Sequence, residues 1–303
     1  MNTPNTESLP RPIVSFLPTA FTPDGAVDIG KMRDLADLLA RHGIRPAVLG
    51  GMGEFYALRR DEARACMEAA AAGAAGRVPV VAGIGFSTRE ATELAVDARD
   101  AGVSVLVLNP HYFAVPTPDG AAEHVRRITG ESGLPAIVYS SKAQPVTEDH
   151  LDRLVTVAGF RGVKETAFGP DEVGRRVARW GDRIEWWGVG EIGGTEYARA
   201  GGNVITSSLA NFSPATSIAY VRAALGDGSV DPQLAECCAA WDELLRAPEG
   251  YLGVLKAVMQ ALYGWHPAVR LPMTEASVAT RESVARFLDR FEHLSARSNP
   301  LAG

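Results

Sequence analysis

The sequence predicts an α/β protein, a (β/α)8 TIM barrel with a C-terminal helical extension. Three observations lead there. Short apolar runs alternate with longer amphipathic segments, the alternation is sustained about eight times, and most of the runs are nearly continuous in apolar character. Continuous apolar strands suit a parallel sheet covered on both faces. An open doubly wound sheet also alternates, but it seldom needs eight strands in succession.

In chain order the strand candidates are "IVSFLP" (Ile13 to Pro18), "PAVLG" (Pro46 to Gly50), "VPVVAG" (Val78 to Gly83) and "VSVLVLNP" (Val103 to Pro110). They continue with "PAIVYS" (Pro135 to Ser140), "FRGVKE" (Phe160 to Glu165), "IEWWGVG" (Ile184 to Gly190) and "NVITSS" (Asn203 to Ser208). Helical spacing fills the intervals. Asp28 to His42 sets Leu35, Leu38 and Leu39 on one face, Thr88 to Ala101 follows the third run, and Thr147 is a natural N-cap for the segment to Val157. The barrel closes near Leu225, which divides the chain into residues 1–225 and 226–303. The second part holds about three helical segments, of which "GYLGVLKAVMQALYG" is one, packed on the barrel with no linker to free them.

Composition narrows the function classes. The 303 residues are 46% hydrophobic and 22% charged, with a formal net charge of −6, which argues against a nucleic-acid binder. No apolar run reaches the length of a membrane span. The start, "MNTPNTESLPRP", lacks a signal pattern and reads as a short disordered lead-in, so a cytoplasmic location is expected. Cys66, Cys237 and Cys238 are an odd count without a CxxC and read as small core residues, neither a disulfide framework nor a zinc site.

In such barrels the active site lies at the C-terminal ends of the strands. Lys164 closes the sixth run and would project into the barrel mouth. Desolvation there lowers a lysine's pKa and yields the neutral amine that attacks a carbonyl, giving an imine that acts as an electron sink. The alternative is a structural lysine paired with a carboxylate such as Glu165. Tyr139 ends the neighbouring strand and can shuttle protons in the same cavity, or simply pack its ring at the rim. The histidines show no paired metal spacing, and neither a Walker A pattern nor a GxSxG elbow is present, so no metal or cofactor is expected. "GVGEIG" (Gly188 to Gly193) fits GxGxxG formally but lacks the acidic residue about 20 positions on. Tight turning of a barrel loop accounts for its glycines.

The ordered set of residues resembles the dihydrodipicolinate synthase and N-acetylneuraminate lyase family of imine-forming class I lyases. The matching pieces are "PTAFTPDGAVD", "GGMGEFYAL", "LNPHYF", "IVYSS" and "GVKET", which together span nearly the whole chain. The resemblance implies that Lys164 is the Schiff-base lysine for a 2-oxo acid and Tyr139 the proton-relay tyrosine. It implies that Gly51, Met52 and Gly53 belong to the loop whose backbone N–H groups hold the substrate carboxylate, with Glu54 fixing that loop. Tyr112 falls at the tyrosine that enters a neighbouring subunit's site, and Ser207 and Ser208 fall near the substrate's distal end. A homotetramer built from dimers is the family expectation.

The departures bear on substrate. The family usually carries two hydroxyl residues where Gly51 and Met52 stand, the first belonging to a proton relay and the second bonding the carboxylate. The arginine that follows the strand-five tyrosine in synthases is absent, Gln144 standing there with Lys142 nearby. The "GGxGEFxxL" and "PHY" forms are nearer the 5-dehydro-4-deoxyglucarate dehydratase branch, which has glycine at the first hydroxyl position, threonine where Met52 stands and asparagine where Ser140 stands. The leading expectation is a Schiff-base dehydratase or aldolase acting on a 2-oxo acid, either a 2-oxo-3-deoxy sugar acid such as 5-dehydro-4-deoxyglucarate or a pyruvate-type substrate. The alternatives are a synthase-like condensation of pyruvate with an aldehyde and a catalytically silent 2-oxo-acid-binding regulator. A metal-dependent barrel enzyme is disfavoured by the lack of ligand clusters.

Overall fold

Two buried sets of side chains organise the chain, which a computed structural model describes over residues 9–111 and 113–292. Val14, Ala47, Val81, Val105, Val107, Ile137, Trp187 and Val204 pack together as one set, with Phe16 and Tyr139 against it. Each comes from a strand, and they share one face because side chains alternate along a strand. The strands are β1 (Ile13–Phe16), β2 (Arg45–Leu49), β3 (Val81–Ile84), β4 (Val105–Leu108), β5 (Ala136–Ser140), β6 (Phe160–Glu165), β7 (Glu185–Val189) and β8 (Val204–Thr206). All pair in parallel with their sequence neighbours, and β1 pairs with β8, so the sheet closes into a barrel whose interior is this first set.

The second, larger set lies between the barrel wall and the helices. Those helices are α1 (Ile29–Arg41), α2 (Arg60–Ala74), α3 (Thr88–Asp100), α4 (Pro118–Ser132), α5 (Glu148–Leu154), α6 (Pro170–Trp180), α7 (Glu191–Arg199) and α8 (Pro214–Leu225). Their starts are written in the sequence. The side chain of Asp28 accepts from the Lys31 N–H at 3.1 Å, Ser87 and Glu90 form a reciprocal capping box, and Thr147 caps α5. After α8 come α9 (Pro232–Leu244), α10 (Gly250–Tyr263) and α11 (Val278–Arg290), which complete the predicted TIM barrel with its C-terminal helices. Cys66, Cys237 and Cys238 are buried free thiols, and burial pushes Cys66 and Cys237 up to about 12.

The elements differ from the sequence reading mainly at their ends. β3 begins at Val81 rather than Val78, because Pro79 has no N–H to give a neighbouring strand. Helix α5 stops at Leu154, short of Val157, where the Val-Thr-Val stretch is β-branched. β8 ends at Thr206, so Ser207 and Ser208 stand in the turn beyond it. No helix among the described residues is long and apolar enough to cross a membrane.

Candidate active site

The pairing of β5 with β6 sets Tyr139 directly beside Lys164. Strand alternation sends Val163 and Glu165 to the helix side, and Lys164 enters the barrel mouth. Its Nζ lies 3.8 Å from the centre of the Tyr139 ring and 5.9 Å from that of Phe16. The pairing with Glu165 that the sequence left open is not made. Glu165 is buried on the other face, where its Oε1 accepts the N–H groups of Ala167 at 2.6 Å and Phe168 at 3.2 Å. Among the described residues no carboxylate lies within ion-pair distance of Lys164. Desolvation therefore pulls its pKa below the ordinary lysine value, with Tyr139 opposing the shift.

The loop after β2 faces this amine. Leu49, Gly50 and Glu54 all take positive φ, and the loop closes on itself through Gly53 N–H to Leu49 O and Phe55 N–H to Gly50 O, both 3.1 Å. Glycine is required at position 53, since a Cβ there would stand 2.4 Å from the Leu49 carbonyl oxygen. Among the described residues, the N–H groups of Gly50, Gly53, Glu54 and Phe55 find backbone acceptors, and those of Gly51 and Met52 do not. Two adjacent free donors beside a lysine make a seat for an anion.

Glu54 holds the loop from below. It is fully buried, its Oε1 is 3.0 Å from Lys256 Nζ, and its Oε2 accepts the Arg270 N–H at 2.7 Å. Lys256 also donates to the carbonyls of Thr19 and Ala268, and the Thr19 hydroxyl donates to Gly53 O at 2.7 Å. A two-pronged Arg270–Glu62 pair, at 2.7 and 2.6 Å, ties the next turn to the same C-terminal segment.

Lys164, Tyr139, Gly50, Gly51 and Met52 line one cavity of about 390 Å³, together with Asn109, Gly190, Ser207, Ser208, Asp242 and Tyr251. The two serines are already engaged. Ser207 donates to the buried Glu191, which Ser217 also reaches at 2.7 Å, and Ser208 accepts from the indole of Trp241 at 2.9 Å. Desolvation raises the pKa of both Glu191 and Asp242. Gly190 begins α7 at φ +76°, the tight turn that the GxGxxG-like stretch serves. Tyr112 lies outside the described residues, and Gly53 anchors the loop without lining the cavity.

Sequence reasoning missed Asp242 on α9 and Tyr251 on α10. Both reach the barrel mouth from the C-terminal helices, more than 75 residues beyond Lys164. Nothing in the local pattern of "WDELL" or "EGYLGV" signals that a helix will present them there.

Comparison with known proteins agrees with this geometry. Residues 9–291 match the model of the dihydrodipicolinate synthetase family. The chain is 30% identical over 291 residues to the "Probable 5-dehydro-4-deoxyglucarate dehydratase 2" of Streptomyces coelicolor, covering 93% of this chain and 90% of that protein. It is 33% identical to the 4-hydroxy-tetrahydrodipicolinate synthase of Alkalilimnicola ehrlichii, covering 88% and 93% respectively. The crystal structure of dihydrodipicolinate synthase from Bacillus clausii superposes with a TM-score of 0.85 at 24% identity, over 93% of this chain and 97% of that one. With a single family spanning the barrel and its C-terminal helices alike, the chain belongs to the dihydrodipicolinate synthetase family and is one of its lyases.

Proposed function

We propose that the protein is a Schiff-base dehydratase acting on a 2-oxo-3-deoxy sugar acid. The observation that carries this is the desolvated Lys164 amine facing, in one cavity, two loop N–H groups; among the described residues the amine has no carboxylate partner and the two N–H groups no acceptor. The carboxylate of the 2-oxo acid sits on the Gly51 and Met52 N–H groups, which sets the C2 carbonyl at Lys164 Nζ. Attack by the amine and loss of one water give the protonated imine. The imine draws electrons from C3, whose proton leaves to form an enamine, and the C4–O bond then breaks with the hydroxyl departing as water. Hydrolysis of the imine consumes a water and frees Lys164, so the net change is substrate to product plus one water. Tyr139, above which the amine lies, is the group placed to carry protons to and from these oxygens.

Gly51 in place of a hydroxyl residue and the relatives named as dehydratases support elimination over condensation. The far wall adds a substrate preference. Among the described residues lining the cavity, Lys164 is the only cation, and Asp242 and Ser208 line it as partners for hydroxyl groups. A substrate carrying one carboxylate and a neutral hydroxylated tail suits that lining. Borohydride with a panel of 2-oxo-3-deoxy sugar acids tests the reading. A mass adduct on Lys164 with loss of water and no pyruvate is the expected result; no adduct with any acid overturns the lyase reading, and pyruvate release would mean aldol cleavage instead. The assembly proposed by resemblance, a homotetramer, is read by sedimentation.

A further inference from the structure

We propose that Tyr251 supplies, from helix α10, the hydroxyl that position 51 lacks, and that it works as the proton-relay partner of Tyr139. This rests on the dehydratase reading and adds a residue to it. A Cβ built on Gly51 would stand 2.7 Å from the Tyr251 phenol oxygen. The tyrosine hydroxyl therefore occupies the space that a side chain at 51 would fill, and the glycine is what admits it. Both phenols line the cavity that holds Lys164. Tyr251 is 39% exposed, so its ring stands at the mouth, where bulk water can return a proton. Desolvation raises the Tyr251 pKa and the neighbouring Tyr139 raises it further.

The transfer balances simply. Tyr139 gives its O–H proton to the departing C4 hydroxyl, which leaves as water. Tyr251 gives its own proton to the Tyr139 oxygen, and water at the mouth reprotonates Tyr251. In the earlier C3 step the same chain runs outward: Tyr139 takes the C3 proton as its own O–H proton passes to the Tyr251 oxygen, and Tyr251 passes its proton to water at the mouth. Because Tyr251 acts through Tyr139, it is a positioning and relay residue, and imine formation on Lys164 does not depend on it.

Three variants test this. Tyr251→Phe keeps the ring and removes only the hydroxyl; it is expected to lower kcat by about 10- to 100-fold with little change in KM. The borohydride adduct on Lys164 is expected to form as in the unaltered protein. Gly51→Ala pushes the phenol aside and is expected to lower kcat similarly, with no further loss when the two are combined. Gly51→Thr on the Tyr251→Phe background returns a hydroxyl from the loop side and is expected to recover part of kcat and to restore the shape of its pH profile. Unchanged kcat in Tyr251→Phe overturns the inference, as does full additivity of the two single losses. Absence of any Lys164 adduct in the unaltered protein would instead sink the dehydratase reading, so the two failures are separable.

Discussion

Two lysines, one in the barrel mouth and one behind the loop after β2, have opposite surroundings. Lys256 meets a carboxylate, Glu54, at 3.0 Å and two backbone carbonyls, and its charge is fully answered. Lys164 meets the faces of Tyr139 and Phe16 and, among the described residues, no carboxylate. Burial lowers the pKa of both, and among the described residues Lys256 alone of the two has an anion to oppose the loss of its proton. The difference teaches how one residue type becomes a clamp or a nucleophile. What decides is the partner, and the two are joined, since the clamp fixes the loop that the nucleophile faces.

The largest effect should come from exchanging these roles for nothing. Lys164→Ala should abolish turnover and the borohydride adduct while the circular dichroism spectrum stays that of the folded protein. Lys256→Met should act on stability, because it leaves Glu54 buried without a counter-charge; breaking a buried pair costs about 3–5 kcal/mol. Denaturant titration reads this, and Glu54→Gln added to Lys256→Met should cost less than the sum of the two. A Lys256→Met protein of unaltered stability would show that the clamp is not what holds the loop.

A smaller effect should come from the far wall. If Asp242 repels a second carboxylate, Asp242→Asn should raise kcat/KM for a dicarboxylic 2-oxo acid over its monocarboxylic counterpart by roughly tenfold. An unchanged ratio would remove Asp242 from substrate selection.

The fold was legible because it is written in periodicity. Eight apolar runs and their caps are local signals, and the β6 run Phe160–Glu165 coincides with its observed strand. The placement of Lys164 and Tyr139 at the mouth was legible for the same reason, since adjacent strands bring their ends together at the C-terminal face of a barrel, while the roles proposed for them came from the family resemblance. Tyr251 and Asp242 were not. Their presence depends on how α9 and α10 lie over the mouth, a packing outcome with no period in the sequence. Met52 fell between the two cases. Its position in the loop could be read, but that its own N–H and that of Gly51 would be the two left free depends on the turns at Leu49, Gly50 and Glu54.

The comparison of lysines can also be sharpened through stability against pH. A lysine whose folded pKa lies below its ordinary 10.5 is less protonated in the folded chain than in the unfolded one. Stability then rises with pH between the folded value and 10.5, and below that window the full penalty is present. Lys164→Met should therefore be more stable than the unaltered protein by on the order of 1 kcal/mol at the low end, a gain that fades as pH climbs toward 10.5. A gain independent of pH would assign it to packing instead.

The mildest change concerns the loop that both lysines serve. Met52 is half-buried and packs its side chain against the apolar core, so its contribution to the anion seat is its backbone N–H alone. Met52→Thr would add a hydroxyl beside that N–H. A hydrogen bond to a charged group contributes about 1.5–3 kcal/mol when well aligned, and the lost methionine packing offsets part of it. The expected outcome is a fall of about three- to tenfold in KM for the 2-oxo acid with kcat little changed, because the carboxylate is held alike in ground and transition states. A change confined to kcat would place the reacting centre, rather than the carboxylate, against this loop, and would move the nucleophile's task away from the seat that Glu54 and Lys256 hold in place.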